Sequence, residues 1–529
     1  PKDFILIGLD NLPRKDLGKT DGTAIFTQDI KLPGMLTAVV AHPPRFGAKV
    51  KSFSKKKATA VKGVVNVVEV PNGVAVIADT FWNAKKGRDA LTIDWDYSEA
   101  MTESSVELMQ RYRKVGDDEG LKAHTHGDLD GAFKRAVKII EADYEFPYLA
   151  HATMEPMNCV VQITDDGVEV WNGSQSPTGD QLGIAAALWT LPGNVKVNTL
   201  FAGGSFGRRS NKNSDYVVET AHIAKQNGQP VPIKLVWTRE DDTNAGYFRP
   251  MYFHKLRAGL DSQGKIIAWQ HKIVGQSVMS DSVYAAFITN GIDSTSVEGA
   301  TSLPYTIPNF EVQLKTVESQ VPVLWWRSVG STHTAYSTEA FMDELAAAAG
   351  QDPLVFRRAH LGDDPRYKAV LDLAAEKSDW GSALPANRSR GVAVHKSFGS
   401  YVAQVAELVV DGQGQYKVDK VVCAVDCGVA INPDIIRAQM EGGIGYGLSP
   451  ALMSEITIDN GAVVESNFDA QKVVRMRDMP AVDVHIIASA EPPTGVGEPA
   501  TPVIAPAVAN ALFSLSGKVR HKLPLGIRV

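Results

Sequence analysis

The chain has 529 residues, 44% hydrophobic and 22% charged, and its 54 basic against 60 acidic residues give a net charge of −6. That length predicts several domains, and the mild charge, with no long basic run, excludes the usual signature of a nucleic-acid or anionic-membrane partner. No apolar run approaches the roughly 18 residues of a membrane-spanning helix, and Cys159, Cys423 and Cys427 are too few for a disulfide framework or for the usual ligands of an iron–sulfur cluster.

In chain order, Pro1 stands where a methionine is expected, so the start reads as a processed or trimmed end, ahead of which a targeting segment can have been lost. Residues 1 to about 105 read as a self-contained strand-and-helix unit. Residues 101–130, charged and turn-rich, read as a connection, with His124 and His126 either a metal pair or part of a solvated loop. In "YLAHATMEPMNCVV", His151 and Glu155 stand four apart. That spacing suits a metal on a helix, but Pro156 and the strand pattern after it favour packing and hydrogen bonding.

Hairpin turns are expected at 165–167, 261–264, 411–414 and 459–461. There Asp, Asn and Gly interrupt alternating runs and tolerate positive φ. Helices are expected over 215–229, over 337–361 with a Ser337/Thr338 cap and breaks at Gly350 and Pro353, and over 501–515. A second boundary falls near 377–391. Strands in hairpins, without strict βαβ alternation, give an α+β fold with mixed or antiparallel sheets.

Four further stretches carry chemistry-bearing residues. In "LFAGGSFGRRSN", Gly203, Gly204 and Gly207 let the backbone approach a ligand, and free N–H groups there suit an anion. Arg208 and Arg209 can add charge-assisted bonds, although a tight structural turn explains the glycines equally. The pattern is neither the dinucleotide fingerprint nor the P-loop. In "LWWRSVG", Arg327 follows two tryptophans and suits either substrate orientation or a buried ion pair. In "AVDCGVAINPDIIRAQMEGGIGYGL", Gln439 can donate to a cofactor, and Gly442 and Gly443 can be cofactor contacts or helix-packing points. Cys423 and Cys427 read as ordinary thiols in a strand and its exit turn. In "GVGEPATPVIAPAVANAL", Gly495 and Gly497 form a tight turn, and Glu498 sits at a helix N-terminus, where the dipole favours its charged form. A helix cap and a general base are both open to it.

Taken together and in this order, "EPM" near 155, "GGSFGRR" near 203, "WRSVG" at 326, "INP…Q…GG" from 432 and "GVGEP" at 495 resemble the molybdenum-binding subunit of the xanthine oxidase / aldehyde oxidase family. The nearest branch is that of isoquinoline 1-oxidoreductase β-subunits and membrane-bound aldehyde dehydrogenases. The resemblance implies an α/β hammerhead domain over 1–105, with residues 14–48 as its start. It implies molybdopterin-binding domains over 125–380 and 385–529, with mixed sheets and β-hairpins. It further implies a molybdenum hydroxylase that oxidises an aldehyde, or a ring such as isoquinoline, with oxygen from water. Glu498 would be the general base and Arg327 a substrate-orienting residue. Gly203, Gly204, Ser205, Phe206, Gly207, Arg208, Gln439, Gly442, Gly443 and Gly497 would line the cofactor.

The implied cofactor is molybdopterin, as the cytosine dinucleotide, whose dithiolene and not a side chain holds the metal. The implied partners are a subunit with [2Fe-2S] clusters and a cytochrome c subunit at the inner membrane, in the periplasm or, alternatively, the cytoplasm. Purine-oxidising members carry a glutamate where Ser210 stands, and a glutamine where Leu149 stands, so purine oxidation is not expected. The family's Gly-Gln-Gly pterin segment is matched only by "DGQGQYKV" in a hairpin. The expectation is therefore that the rest of the active-site subunit is a separate chain or a cleaved N-terminal piece. A non-catalytic scaffold is the competing reading, and a nicotinamide dehydrogenase is disfavoured by the missing fingerprint.

Overall fold

The computed structural model describes residues 4–10, 12 and 17–529. Residues 14–16, where the expected hammerhead stretch begins, lie outside the described residues. Among the described residues, three large mixed sheets and two two-stranded ribbons carry the chain. The seven-stranded sheet runs in the order Val195–Thr199, Gly167–Asn172, Asn158–Thr164, Ile233–Val236, Leu36–Ala41, Gly73–Ala78, Val64–Val70. Gly73–Ala78 reads GVAVIA and is buried at every position, the signature of a strand covered on both faces.

The parallel pair Leu36↔Ile233 corrects one expectation: residues 1–105 are not self-contained. Their strands complete a sheet with partners about 200 positions on, and a parallel pairing leaves no turn residues in the sequence to announce it. Within that segment, the ribbon of Lys49–Ser54 and Thr92–Asp96 adjoins a small core of its own around Ala58, Val67 and Val76.

The supposed connection at 101–130 is also corrected. It folds as helix Ser105–Gly116, strand Leu121–His126 and helix Leu129–Arg135. Ser104 caps the first helix reciprocally with Glu107, an S-x-x-E start signal present in the sequence. Leu108, Met109 and Tyr112 are its buried face. His124 and His126 lie on an edge strand, 3.2 Å apart through their ring nitrogens and against Phe310.

A five-stranded sheet (Leu121–His126, Phe310–Thr316, Ile266–Gly275, Tyr252–Leu260, Lys138–Phe146) and a four-stranded one (Arg388–Ser397, Ser400–Val410, Tyr416–Asp426, Ala481–Ile486) share a single core. It runs from Ala142 and Trp269 through Phe341 to Val402 and Val503. Helices Ser331–Ala348 and Thr501–Ser516 are buried in it. The segment near 377–391 is thus a loop between helix Pro365–Lys377 and strand Arg388–Ser397, and the hydrophobic core continues past it.

Three of the expected hairpins pair over long strands, whereas the 459–461 turn joins strands of two residues each. Helix Asp215–Asn227 stops at Gly228, left-handed at φ 67°. Helix Ser331–Ala348 starts earlier than expected, so Ser337 and Thr338 are buried within it and cap nothing. Small residues at its start pack between the sheets, and that tertiary fit overrides the local cap signal. Cys159 and Cys423 lie in strands, and Cys427 follows one; all are buried and unbridged.

Candidate active site

The 203–209 loop is built to hold its backbone against a neighbour. Gly204 (φ 99°), Phe206 (φ 54°) and Gly207 (φ 103°) are left-handed. A side chain at Gly207 would meet the Trp325 carbonyl at 2.4 Å, and one at Gly203 would meet Glu155 at 2.6 Å, so only glycine fits at either position. Buried charges fix the loop from behind. Glu155 accepts from Gly203 N (2.7 Å), Asn158 Nδ2 (3.0 Å) and Arg209 Nη2 (3.2 Å). Arg209 also donates to the carbonyls of Gly204 and Glu155. Arg208 is 2% exposed and forks onto Asp215 at 3.0 and 2.6 Å, so its guanidinium ties the loop to helix Asp215–Asn227. Among the described residues, the N–H groups of Gly204, Ser205 and Phe206 donate to no other group. His151 is hydrogen-bonded to the Trp325 carbonyl at 2.9 Å, and burial lowers its pKa to about 3, so it is a neutral packing residue.

Ser205, Phe206 and Gly207 line a cavity of about 540 Å³ with Arg327, Gln439 and Glu498. The Glu498 side chain is half-buried. Its Oε1 accepts from Ser328 N at 2.8 Å, while Ser328 Oγ donates to the Glu498 carbonyl at 2.7 Å. Its other carboxylate oxygen receives no hydrogen bond from the described residues. Helix Thr501–Ser516 begins with no side-chain cap, so Glu498 precedes that helix without capping it. Its carboxylate is fixed from across the site.

Arg327 joins every wall of the cavity. Nε donates to the Gly497 carbonyl at 2.7 Å, Nη2 to Gln439 Oε1 at 3.0 Å and again to Gly497, and Nη1 to the Gly442 carbonyl at 3.4 Å. Its own N–H binds the Phe206 carbonyl. Those contacts engage four of the five guanidinium donors. Burial lowers the Arg327 pKa, opposed by Tyr446 and Glu498, and from its ordinary value the group stays charged.

A stack of Phe206, Tyr446 and Trp326, with ring centroids 4.3 and 4.5 Å apart, separates this cavity from a second, largely apolar one of about 590 Å³. Met154, Gly442 and Met479 help to line the second cavity. A side chain built at Gly442 or Gly497 meets nothing within 4 Å, whereas at Gly443 it would meet Ala500 at 2.9 Å. Gly443 is therefore a helix-packing point, and Gly442 and Gly497 leave open space.

Several residues at the site were not legible from sequence. Gln175 lines the first cavity and accepts from Gly207 N at 3.2 Å, with no motif around it. Ser328 sat inside the quoted "WRSVG", but its left-handed turn (φ 81°) has no glycine to signal it. Tyr446 lay among the glycines of its helix, where only an aromatic ring on a small-residue face marks it.

Residues 115–361 and 326–480 match two families described as molybdopterin cofactor-binding domains. The chain is 31% identical to the isoquinoline 1-oxidoreductase subunit beta of Brevundimonas diminuta, over 99% of this chain and 68% of that one. It is 30% identical to the membrane-bound aldehyde dehydrogenase [pyrroloquinoline-quinone] of Gluconacetobacter polyoxogenes, over 98% and 71%. Among solved structures it superposes on quinoline 2-oxidoreductase from Pseudomonas putida 86 with a TM-score of 0.84, 14% identity and 98% and 97% coverage. With the aldehyde oxidoreductase from Desulfovibrio gigas the TM-score is 0.80, at 15% identity and 100% and 80% coverage. The structural likenesses show a shared fold.

Proposed function

Because the chain belongs to the molybdopterin-binding large subunits of the xanthine oxidase family, and is a molybdenum-dependent oxidoreductase of the aldehyde or N-heterocycle type, we propose that it oxidises an aldehyde to a carboxylic acid with Glu498 as general base. The observation that carries this reading is the Glu498 carboxylate, held by one oxygen on Ser328 N and left free at the other, facing the unpaired N–H groups of the 203–209 loop across one cavity. Those free donors and the open space at Gly442 and Gly497 fit an anionic, oxygen-rich cofactor. Molybdopterin, bound there as the cytosine dinucleotide, would supply the redox centre and the site of water-derived oxygen.

The chain's own residues then divide the remaining roles. Glu498 takes the proton from the attacking water, a role that contributes ~10²–10⁴-fold in rate. Ser328 N–H fixes its direction. Arg327 clamps the Phe206, Gln439, Gly442 and Gly497 segments and leaves about one donor for a substrate oxygen. Gln175, with its side-chain oxygen on Gly207 N, presents an amide to the cofactor from the same cavity. Ser205, Phe206, Gly207, Gln439, Gly442 and Gly497 line the cofactor, while Gly203, Gly443 and Arg208 hold the surrounding frame.

Hydroxylation of an N-heteroaromatic ring is the second reading, favoured by the aromatic stack of Phe206, Tyr446 and Trp326. The hammerhead domain over 1–105, the domains over 125–380 and 385–529, a partner with [2Fe-2S] clusters, an N-terminal piece as a separate or cleaved chain, a cytochrome c subunit and a periplasmic site belong to the same proposal. Support for partners is that relatives are named as subunits. No described helix is long and apolar enough to cross a membrane.

The test is metal and cofactor analysis of the native complex together with turnover of Glu498→Gln. Stoichiometric molybdenum and a variant that keeps the metal but does not turn over are expected. Active enzyme without molybdenum, or with a quinone in its place, overturns the proposal.

A further inference from the structure

The turn that holds Glu498 holds a second carboxyl group as well. Ser328 (φ 81°) and Val329 (φ 45°) are both left-handed, a costly conformation for a β-branched valine. The turn aims two backbone donors, two residues apart, to two sides. Ser328 N points to Glu498 Oε1 at 2.8 Å, and Gly330 N points to Glu298 Oε2 at 3.2 Å. Any side chain at position 330 would strike the Thr295 carbonyl at 2.0 Å, so the turn is locked between the two acids. Helix Ser331–Ala348 starts there with no side-chain cap of its own, and Glu298 takes that place from a distant loop.

The groups facing Glu298 are few. Helix Ser331–Ala348 presents the N–H groups of Gly330 and Ser331, and its Thr334 hydroxyl donates to the Glu298 carbonyl at 2.6 Å. Strand Arg388–Ser397 presents His395 beside Gly299. That imidazole is buried and neutral, its pKa lowered to about 4, and its Nε2 has no partner. On Glu298's own loop, Asp293 is turned to Ser277 and Thr295. The remaining charge is Glu498. The Arg327 guanidinium, hydrogen-bonded to Gly497, Gln439 and Gly442, acts on Glu498, whereas among the described residues no cation bears on Glu298. Burial, reinforced by the Glu498 charge, raises Glu298 to about 7, against the helix N–H groups that favour its ionised form.

We propose that Glu298 is a positioning residue for the reaction: it shares the Ser328–Gly330 turn with Glu498, and its own protonation state decides how much negative charge adjoins the base. The proposal rests on Glu498 being the base. When Glu298 ionises, a second negative charge adjoins the group that must take up a proton, so turnover steps up through neutral pH. A group that only caps the helix would give no such step.

Infrared difference spectroscopy of the complete enzyme, titrated between about pH 5 and pH 9, reads the carbonyl stretch of a protonated carboxylic acid directly. Subtracting the Glu298→Gln spectra isolates its band from other buried acids such as Asp180 and Asp343. The band is expected to titrate near pH 7, to be missing in Glu298→Gln, and to shift to lower pH in Glu498→Gln, where the neighbouring charge is gone. The pH profile of turnover is expected to lose its neutral step in Glu298→Gln, whose carboxamide still accepts the Gly330 N–H. A band unaffected by Glu298→Gln, or a midpoint that does not move in Glu498→Gln, overturns the inference. Near-normal turnover of Glu498→Gln would instead remove the assignment of the base, which is a separate outcome.

Discussion

Glu155 and Glu498 are both followed by proline, and both face the 203–209 loop, yet they are opposite kinds of carboxylate. Glu155 sits behind the loop with both oxygens taken, by Gly203, Asn158 and Arg209. Glu498 sits across the cavity with one oxygen on Ser328 and the other free. A carboxylate with both oxygens engaged and an arginine as partner is a structural strut. One held by a single donor at a cavity wall keeps its direction and still has capacity for a proton. The two Glu-Pro steps look alike in sequence, and only the surroundings separate them.

The sharpest way to break the comparison is to neutralise each in turn. Glu498→Gln keeps an acceptor for Ser328 N–H but cannot take a proton. Turnover is expected to fall by at least ~10²–10⁴-fold, while the denaturation midpoint does not fall below that of the parent. A stability loss as large as the activity loss would make Glu498 a strut as well. Next in size is Arg327→Lys. An ammonium cannot reproduce the fork onto Gly497, Gln439 and Gly442, and a displacement of about 1 Å at the base costs ~10²-fold in rate. Steady-state kinetics should show that loss in kcat. A change confined to KM would mean the arginine contacts substrate and does not set the base. Glu155→Gln should act in the other currency: it leaves the Arg209 charge buried with only carbonyl partners, so unfolding stability is expected to fall by about 3 kcal/mol, measured by chemical denaturation.

The fold was legible wherever a signal is local. Hairpins at 165–167, 261–264 and 411–414 follow from turn residues between alternating runs, and helix 215–227 follows from its glycine stop. It was illegible where structure depends on distant partners. The pairing of Leu36 with Ile233 leaves no trace near either strand, and the early start of helix Ser331–Ala348 is set by packing between two sheets. The same division holds at the site. Glycines 203, 204 and 207 were readable because left-handed backbone at 204 and 207 and close approach at 203 select glycine. Ser328 and Val329 adopt left-handed angles without it, and Gln175 and Glu298 reach the site from loops with no recognisable spacing. Arg327 was found, but its commitment to the chain's own carbonyls was not, because donors and acceptors so far apart in sequence cannot be matched by pattern.

The smallest expected effect concerns Glu298 and follows from linkage. Its folded pKa of about 7 lies above the ordinary glutamate value of 4.5. A carboxyl group raised in this way contributes stability that is fully present below its unfolded pKa and is lost as pH rises through the folded one. Between about pH 4.5 and pH 7 the folded chain therefore holds a proton that the unfolded chain has released, and above that window Glu298 must be charged beside Glu498. Glu298→Gln removes this cost. Its unfolding free energy relative to the parent is expected to improve across that window and level off above pH 7, by no more than about 3 kcal/mol. The Glu498→Gln variant should show part of the same gain, because it removes the neighbouring charge but leaves the burial. Denaturation of both variants at several pH values separates the two causes. Equal gains would assign the whole shift to repulsion between the carboxylates, and no gain in Glu498→Gln would assign it to burial alone.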